Sequence, residues 1–146
     1  MKGSSTYLAT AGALVGALML ATAASAHHAF NAEYDAKQPI VLKGKLSKME
    51  WTNPHGWIYV DVQDRAGKVV TWEVETGSPN ALLRRGLRRK DFPIGSELII
   101  NAFKAKNGRP EAAAYMVKFA DGRNFYLGAS GTGAPEPPKE NPPKAP

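Results

Sequence analysis

Apolar and polar residues alternate through "WIYVDVQD": Ile58, Val60 and Val62 fall on one face, Trp57, Tyr59 and Asp61 on the other. A period of two is the signature of a strand with one buried face. "DRAG" (Asp64 to Gly67) then reads as a hairpin turn and "VVTWEVE" (Val69 to Glu75) as the returning strand, with Val70, Trp72 and Val74 on one side. Upstream, "IVLKGKLSKMEW" (Ile40 to Trp51) reads as a first strand, with Gly44 inside it as a bulge or bend. The first three elements therefore form a meander.

The period breaks at "SPNALLRRG". Ser78 is a natural N-cap, Pro79 suits the first helical position, and Gly86 suits the position just past the end, which predicts a helix of about two turns. Strands resume with "GSELIINAFKA" (Gly95 to Ala105), a turn at "KNGRP", and "EAAAYMVKFA" (Glu111 to Ala120). "DGR" then turns the chain into a short last strand, "NFYLG". Three strands, a helix, then two or three strands is the order of an OB-fold-like, five-stranded or slightly larger antiparallel barrel, an all-β fold with one short helix. A small open β-sandwich is the alternative.

The two ends of the chain have a different character. "MKGSSTYLATAGALVGALMLATAASA" has a positive start at Lys2, an apolar run from Leu8 to Leu20, and a small-x-small site at Ala24-Ser25-Ala26. Residues 1–26 are thus expected to be a cleaved Sec-type signal peptide, which places the protein in the periplasm or outside the cell and leaves no transmembrane segment after cleavage. Residues 131–146, "GTGAPEPPKENPPKAP", contain no large apolar side chain and read as a disordered Pro-rich tail. One domain, residues 27–130, lies between them.

Export and composition together narrow the chemistry. The chain has no cysteine, so the exported fold is expected to stand without a disulfide or a thiolate metal site. Loss of Lys2 with the leader takes the formal net charge from +6 to +5. That balance favours anionic envelope components or an acidic protein partner, whereas nucleic acid fits poorly with export.

The histidine pair in "ASAHHAF", "WTNPH" leading into "WIYV", and "GSPNALLRRG" together resemble a family of short exported bacterial proteins of unknown function. The resemblance spans roughly His27 to Ser130 and implies a periplasmic OB-like barrel. It implies no activity, substrate or cofactor.

Catalytic patterns are sparse. There is no G-x-S-x-G elbow, no thiol and no phosphate-cradling Gly-rich loop, so the chain reads as a binding module more than as an enzyme. Glu73 and Glu75 share a strand face as paired carboxylates would, but the alternation assigns them to the wet side of a half-buried strand. Trp51, Trp57 and Trp72 read as packing residues. "LLRRGLRRKD" gathers Arg84, Arg85, Arg88, Arg89 and Lys90 around the helix end, either as a solvated basic face or as an anion-binding patch.

The three histidines are the sharpest clue. Cleavage after Ala26 would make His27 the first residue, and its α-amine and ring could then chelate one copper ion. His55, at the Asn53-Pro54-His55-Gly56 corner, is the candidate third nitrogen of a histidine brace, a set that suits Cu(II). His28 offers a second mode through the amine, its own amide nitrogen and its ring. The bland alternative is a His55 that bonds only backbone groups in its turn. On the bare sequence no carboxylate is needed, although Glu33 and Asp35 lie close along the chain.

Overall fold

The computed structural model describes residues 30–128. The expected leader, His27, His28 and the Pro-rich tail lie outside the described residues. Residues 30–33 are helical. They lead into β1 (Tyr34–Glu50), β2 (Gly56–Gln63), β3 (Val69–Thr76), helix α1 (Pro79–Arg84), a 3-10 turn (Arg89–Asp91), β4 (Glu97–Ala105), β5 (Glu111–Phe119) and β6 (Asn124–Tyr126).

The strands hydrogen-bond in the order β3-β2-β1-β4-β5-β6, and an additional β3–β5 pairing closes the first five into a ring. Neighbours are antiparallel except at the closure, where β3 and β5 run parallel through Glu73↔Glu111, Val74↔Ala112 and Glu75↔Ala113. This is the small barrel that the element order predicts, with its helix between the third and fourth strands and β6 appended to β5. Closure pairs part of the β3 and β5 edges that an open five-stranded sheet would leave exposed.

The alternation seen in the sequence sorts residues between inside and outside. Ile58, Val60 and Val74 are fully buried, and they meet Leu46 of β1, Leu98 and Ile100 of β4, and Val117 of β5 in one core. Leu82, Leu87 and Phe92 plug one end of the barrel. The helix starts as its sequence implies: the Ser78 hydroxyl accepts from the Ala81 amide at 3.3 Å. It stops at Gly86, whose φ of +86° a residue with a side chain rarely adopts, and the Leu87 amide returns to the Leu82 carbonyl at 3.0 Å.

β1 begins six residues earlier than its sequence pattern predicts and is 17 residues long. It can be that long because it serves two partners. Its first half pairs with β4, its second half with β2, and Lys45 pairs with both Asp61 and Glu97. Gly44 sits beside this changeover. A Cβ there would lie 2.3 Å from the Asp61 carbonyl oxygen and 2.8 Å from Val60, so the glycine permits two strands to approach closely. The register irregularity itself falls further on, between Leu46 and Lys48.

A second apolar cluster lies apart from the main core. Phe30 and Tyr34 pack with Phe103, Ala105 and Ala113, and the rings of Phe30 and Phe103 meet edge to face at 5.7 Å between centroids. The small side chains of Ala105 and Ala113 leave room for the aromatic pair. Burying Phe30, which is 4% exposed, contributes about 1.5–3 kcal/mol and ties the start of the described chain to the barrel.

Candidate functional site

β1 ends at Glu50, and residues 51–55 form the loop to β2 with a cis Asn53-Pro54 peptide. The Thr52 hydroxyl donates to the His55 carbonyl at 3.3 Å. Gly56 then opens β2 opposite Thr76, and its amide donates to the Gly77 carbonyl at 3.3 Å. A Cβ at position 56 would lie 2.7 Å from the Thr76 hydroxyl oxygen, so the backbones close tightly directly after the histidine.

That closure sets the His55 ring against β3. Trp57 pairs with Glu75, and the Glu75 carboxylate accepts from His55 Nδ1 through Oε1. Its other oxygen, Oε2, accepts from the Tyr34 hydroxyl at 2.7 Å. Glu75 is 12% exposed in its side chain, whereas His55 is 38% exposed. A carboxylate accepting at Nδ1 favours the tautomer that carries its proton there. The lone pair of a neutral ring is then on Nε2, the nitrogen that has no partner among the described residues. Burial, the Glu75 charge and the hydrogen bond to it all push the Tyr34 phenol well above its usual range.

A second polar group lies beside the first. Tyr59 donates toward Glu73 at 3.1 Å and lies 3.4 Å from Glu50, while Lys48 binds Glu50 at 2.5 Å and covers the Tyr59 ring at 4.6 Å. Loss of hydration and the Glu73 and Glu50 carboxylates push the Tyr59 phenol up to about 12. The Lys48 hydrogen bond holds the Glu50 carboxyl below the usual range. Beside these groups a cleft of about 290 Å³ opens between Glu33, Tyr34, Trp57, Glu73, Lys106 and Glu111.

The site residues expected from sequence are thus distributed unevenly. His55 faces a carboxylate across the barrel surface, and His27 and His28 lie outside the described residues. Glu33 borders the cleft. Asp35 closes its own turn, accepting from the Lys37 amide and the Gln38 side-chain amide at 2.9 Å each. Sequence reading sets Glu75 aside as a wet-side carboxylate and does not single out Tyr34. Counting back from the "DRAG" turn places Glu75 against Trp57, next to His55, so its position was open to a register argument. Tyr34 reaches Glu75 from 41 positions away, and no local signal points to that contact.

The basic run divides. Arg85 turns inward, donating to the Gly128 carbonyl at 2.8 Å and lying 4.7 Å over the Tyr126 ring. Arg84, Arg88, Arg89 and Lys90 are exposed. Trp57 lines the cleft, while Trp51 and Trp72 pack on the core.

Among the described residues no group of three or more His, Cys, Asp or Glu side chains could hold a metal by itself, and no helix is long and apolar enough to cross a membrane. A metal at His55 would therefore need ligands from elsewhere. A family model described as a family of unknown function, DUF6152, matches residues 15–114. No curated protein and no solved structure matches the chain.

Proposed function

The chain belongs to the DUF6152 family of unknown function, and we propose that, exported and cleaved after Ala26, it binds one Cu(II) through the His27 amine, the His27 ring and Nε2 of His55. The observation that carries this reading is the Tyr34–Glu75–His55 chain of hydrogen bonds. It is built as the outer shell of a metal-binding histidine is built: a carboxylate on one ring nitrogen fixes the ring and raises the basicity of the other.

The anchoring of Phe30 supplies the second support. Its ring lies 5.6 Å from that of Tyr34, whose hydroxyl is bonded to the same Glu75. Phe30 lies three positions beyond His27, a reach of at most about 10 Å. A chain beginning at His27 would thus start within that reach of the Phe30 anchor, which packs on the tyrosine bonded to the partner of His55. Two imidazoles and an amine suit Cu(II), and such a site would bind or deliver copper without a catalytic group of the chain's own.

The test is a copper titration of protein whose first residue is His27. His55→Ala is expected to weaken binding by more than roughly 100-fold, beyond what outer-shell changes cost in metal sites. One alanine added ahead of His27 should weaken it similarly, because it displaces the amine from its ring. His28→Ala should leave the affinity nearly unchanged; a collapse in that variant alone would assign the copper to the amine, amide and ring of the N-terminal peptide.

A further inference from the structure

The barrel end closed by residues 83–94 carries a second surface that copper binding does not use. Leu82, Leu87 and Phe92 turn inward at intervals of five residues and are at most 4% exposed. The residues between them are left outside. Leu83 is 48% exposed and Ile94 is 65% exposed, two of the few large aliphatic side chains left in water among the described residues. Arg84, Arg88, Arg89 and Lys90 are exposed along the same stretch.

Many cations among the described residues, Lys43, Lys45 and Lys68 for example, make no ion pair; what sets this stretch apart is that four exposed cations fall within seven residues, Arg84 to Lys90. Lys48 pairs with Glu50, Arg109 with Glu111, and Arg123 with both Asp91 and Asp121. Among the described residues no acidic side chain lies in ion-pair contact with Arg84, Arg88, Arg89 or Lys90. Asp91, the one acid within the stretch, is already engaged by the Arg88 amide at 2.8 Å and by Arg123. Among the described residues the stretch therefore presents four positive charges without a carboxylate in ion-pair contact, flanked in sequence by two exposed aliphatic side chains.

We propose that this end of the barrel docks on an anionic phospholipid bilayer. Leu83 and Ile94 enter the boundary between headgroups and acyl chains, and the four cations meet headgroup phosphates. Charge complementarity selects the partner. A soluble polyanion would satisfy the cations but leave both aliphatic side chains in water, whereas the interface of a bilayer accepts both kinds of group. Few residues are involved, so the association should be reversible and sensitive to salt.

The experiment is co-sedimentation of the processed protein with vesicles of phosphatidylcholine containing roughly a third phosphatidylglycerol, set against pure phosphatidylcholine. Binding is expected only to the anionic vesicles and should fall steeply between low and physiological salt. Each cation replaced by Gln should lower the partition coefficient roughly fivefold. The Leu83→Ser/Ile94→Ser double variant should also bind less, while inorganic phosphate at equal ionic strength should compete no better than chloride. Circular dichroism checks that the variants fold. If the fourfold Gln variant is misfolded, the Arg84→Gln/Arg89→Gln pair serves instead. Equal binding to neutral vesicles, binding indifferent to the Ser substitutions, or tighter capture by soluble polyglutamate would overturn the proposal.

Discussion

The His55 corner and the barrel end at residues 83–94 both carry charge on a rigid β framework, yet they handle it in opposite ways. At the corner each ionisable group is engaged by another: Tyr34 by Glu75, Glu75 by His55, Tyr59 by Glu73, Glu50 by Lys48. At the barrel end Asp91 is engaged by the Arg88 amide and Arg123, and four exposed cations have no ion-pair partner among the described residues. A pre-bonded network orients a ring, and such orientation is useful when the ligand is a small ion with strict geometry. Unpaired flexible cations orient nothing. They suit a partner that is broad, fluid and negatively charged.

Substitutions can break this contrast at graded depth. The deepest acts on the framework that both regions share. Gly44→Ala would drive a Cβ to 2.3 Å from the Asp61 carbonyl oxygen, a backbone clash that no rotamer change relieves. A loss of more than about 3 kcal/mol in chemical denaturation is expected, with both regions failing together. Glu75→Gln acts on the corner alone. It should lower copper affinity roughly 10–100-fold while leaving vesicle binding intact.

Tyr34→Phe removes one bond from the same network and leaves an oxygen of Glu75 without its donor. A loss of about 1.5 kcal/mol is expected, as for other hydrogen bonds to charged groups. The pH dependence has a definite sign. The Tyr34 phenol is raised in the folded protein, so its contribution is fully present below the unfolded phenol range near 10 and is lost as pH rises above it. Stability of the wild type should therefore fall above about pH 10 more steeply than that of Tyr34→Phe, as thermal melts at stepped pH would read. Tyr59 adds a smaller slope of the same sign. The smallest effect is that of Arg89→Gln, an exposed side chain without an ion-pair partner among the described residues. Its stability should stay within about 0.5 kcal/mol of wild type while vesicle binding drops.

The barrel was largely legible in the sequence because its determinants are local. The alternation of Ile58, Val60 and Val62, the Ser78-Pro79 start and the Gly86 stop each act over a few residues, and each appears where the pattern predicts it. The start of β1 was not legible. Residues 34–39 lack a clean alternation, since Tyr34 packs on the outside of the barrel and Asp35 to Gln38 form a turn within the strand's register. His55 was singled out for its place in a Pro-Gly corner, and it lies in the loop with the cis Asn53-Pro54 peptide, but its partner Glu75 was not found. The alternation that assigned Glu75 to the wet face could not show that Phe30 and Tyr34 cover that face from outside. Closing a barrel brings residues together by long-range pairing, and a period of two contains no information about what lies on top of the outer face.

The central claim is that His55 is held by Glu75 so that its Nε2 can take a metal. It is tested most directly by electron paramagnetic resonance of protein starting at His27 and loaded with one equivalent of Cu(II). Wild type is expected to show coupling to two imidazole rings, and His55→Ala to lose one of them with a shift in the copper parameters. Identical spectra from the two proteins would contradict the claim and reduce His55 to a turn residue bonded to Glu75.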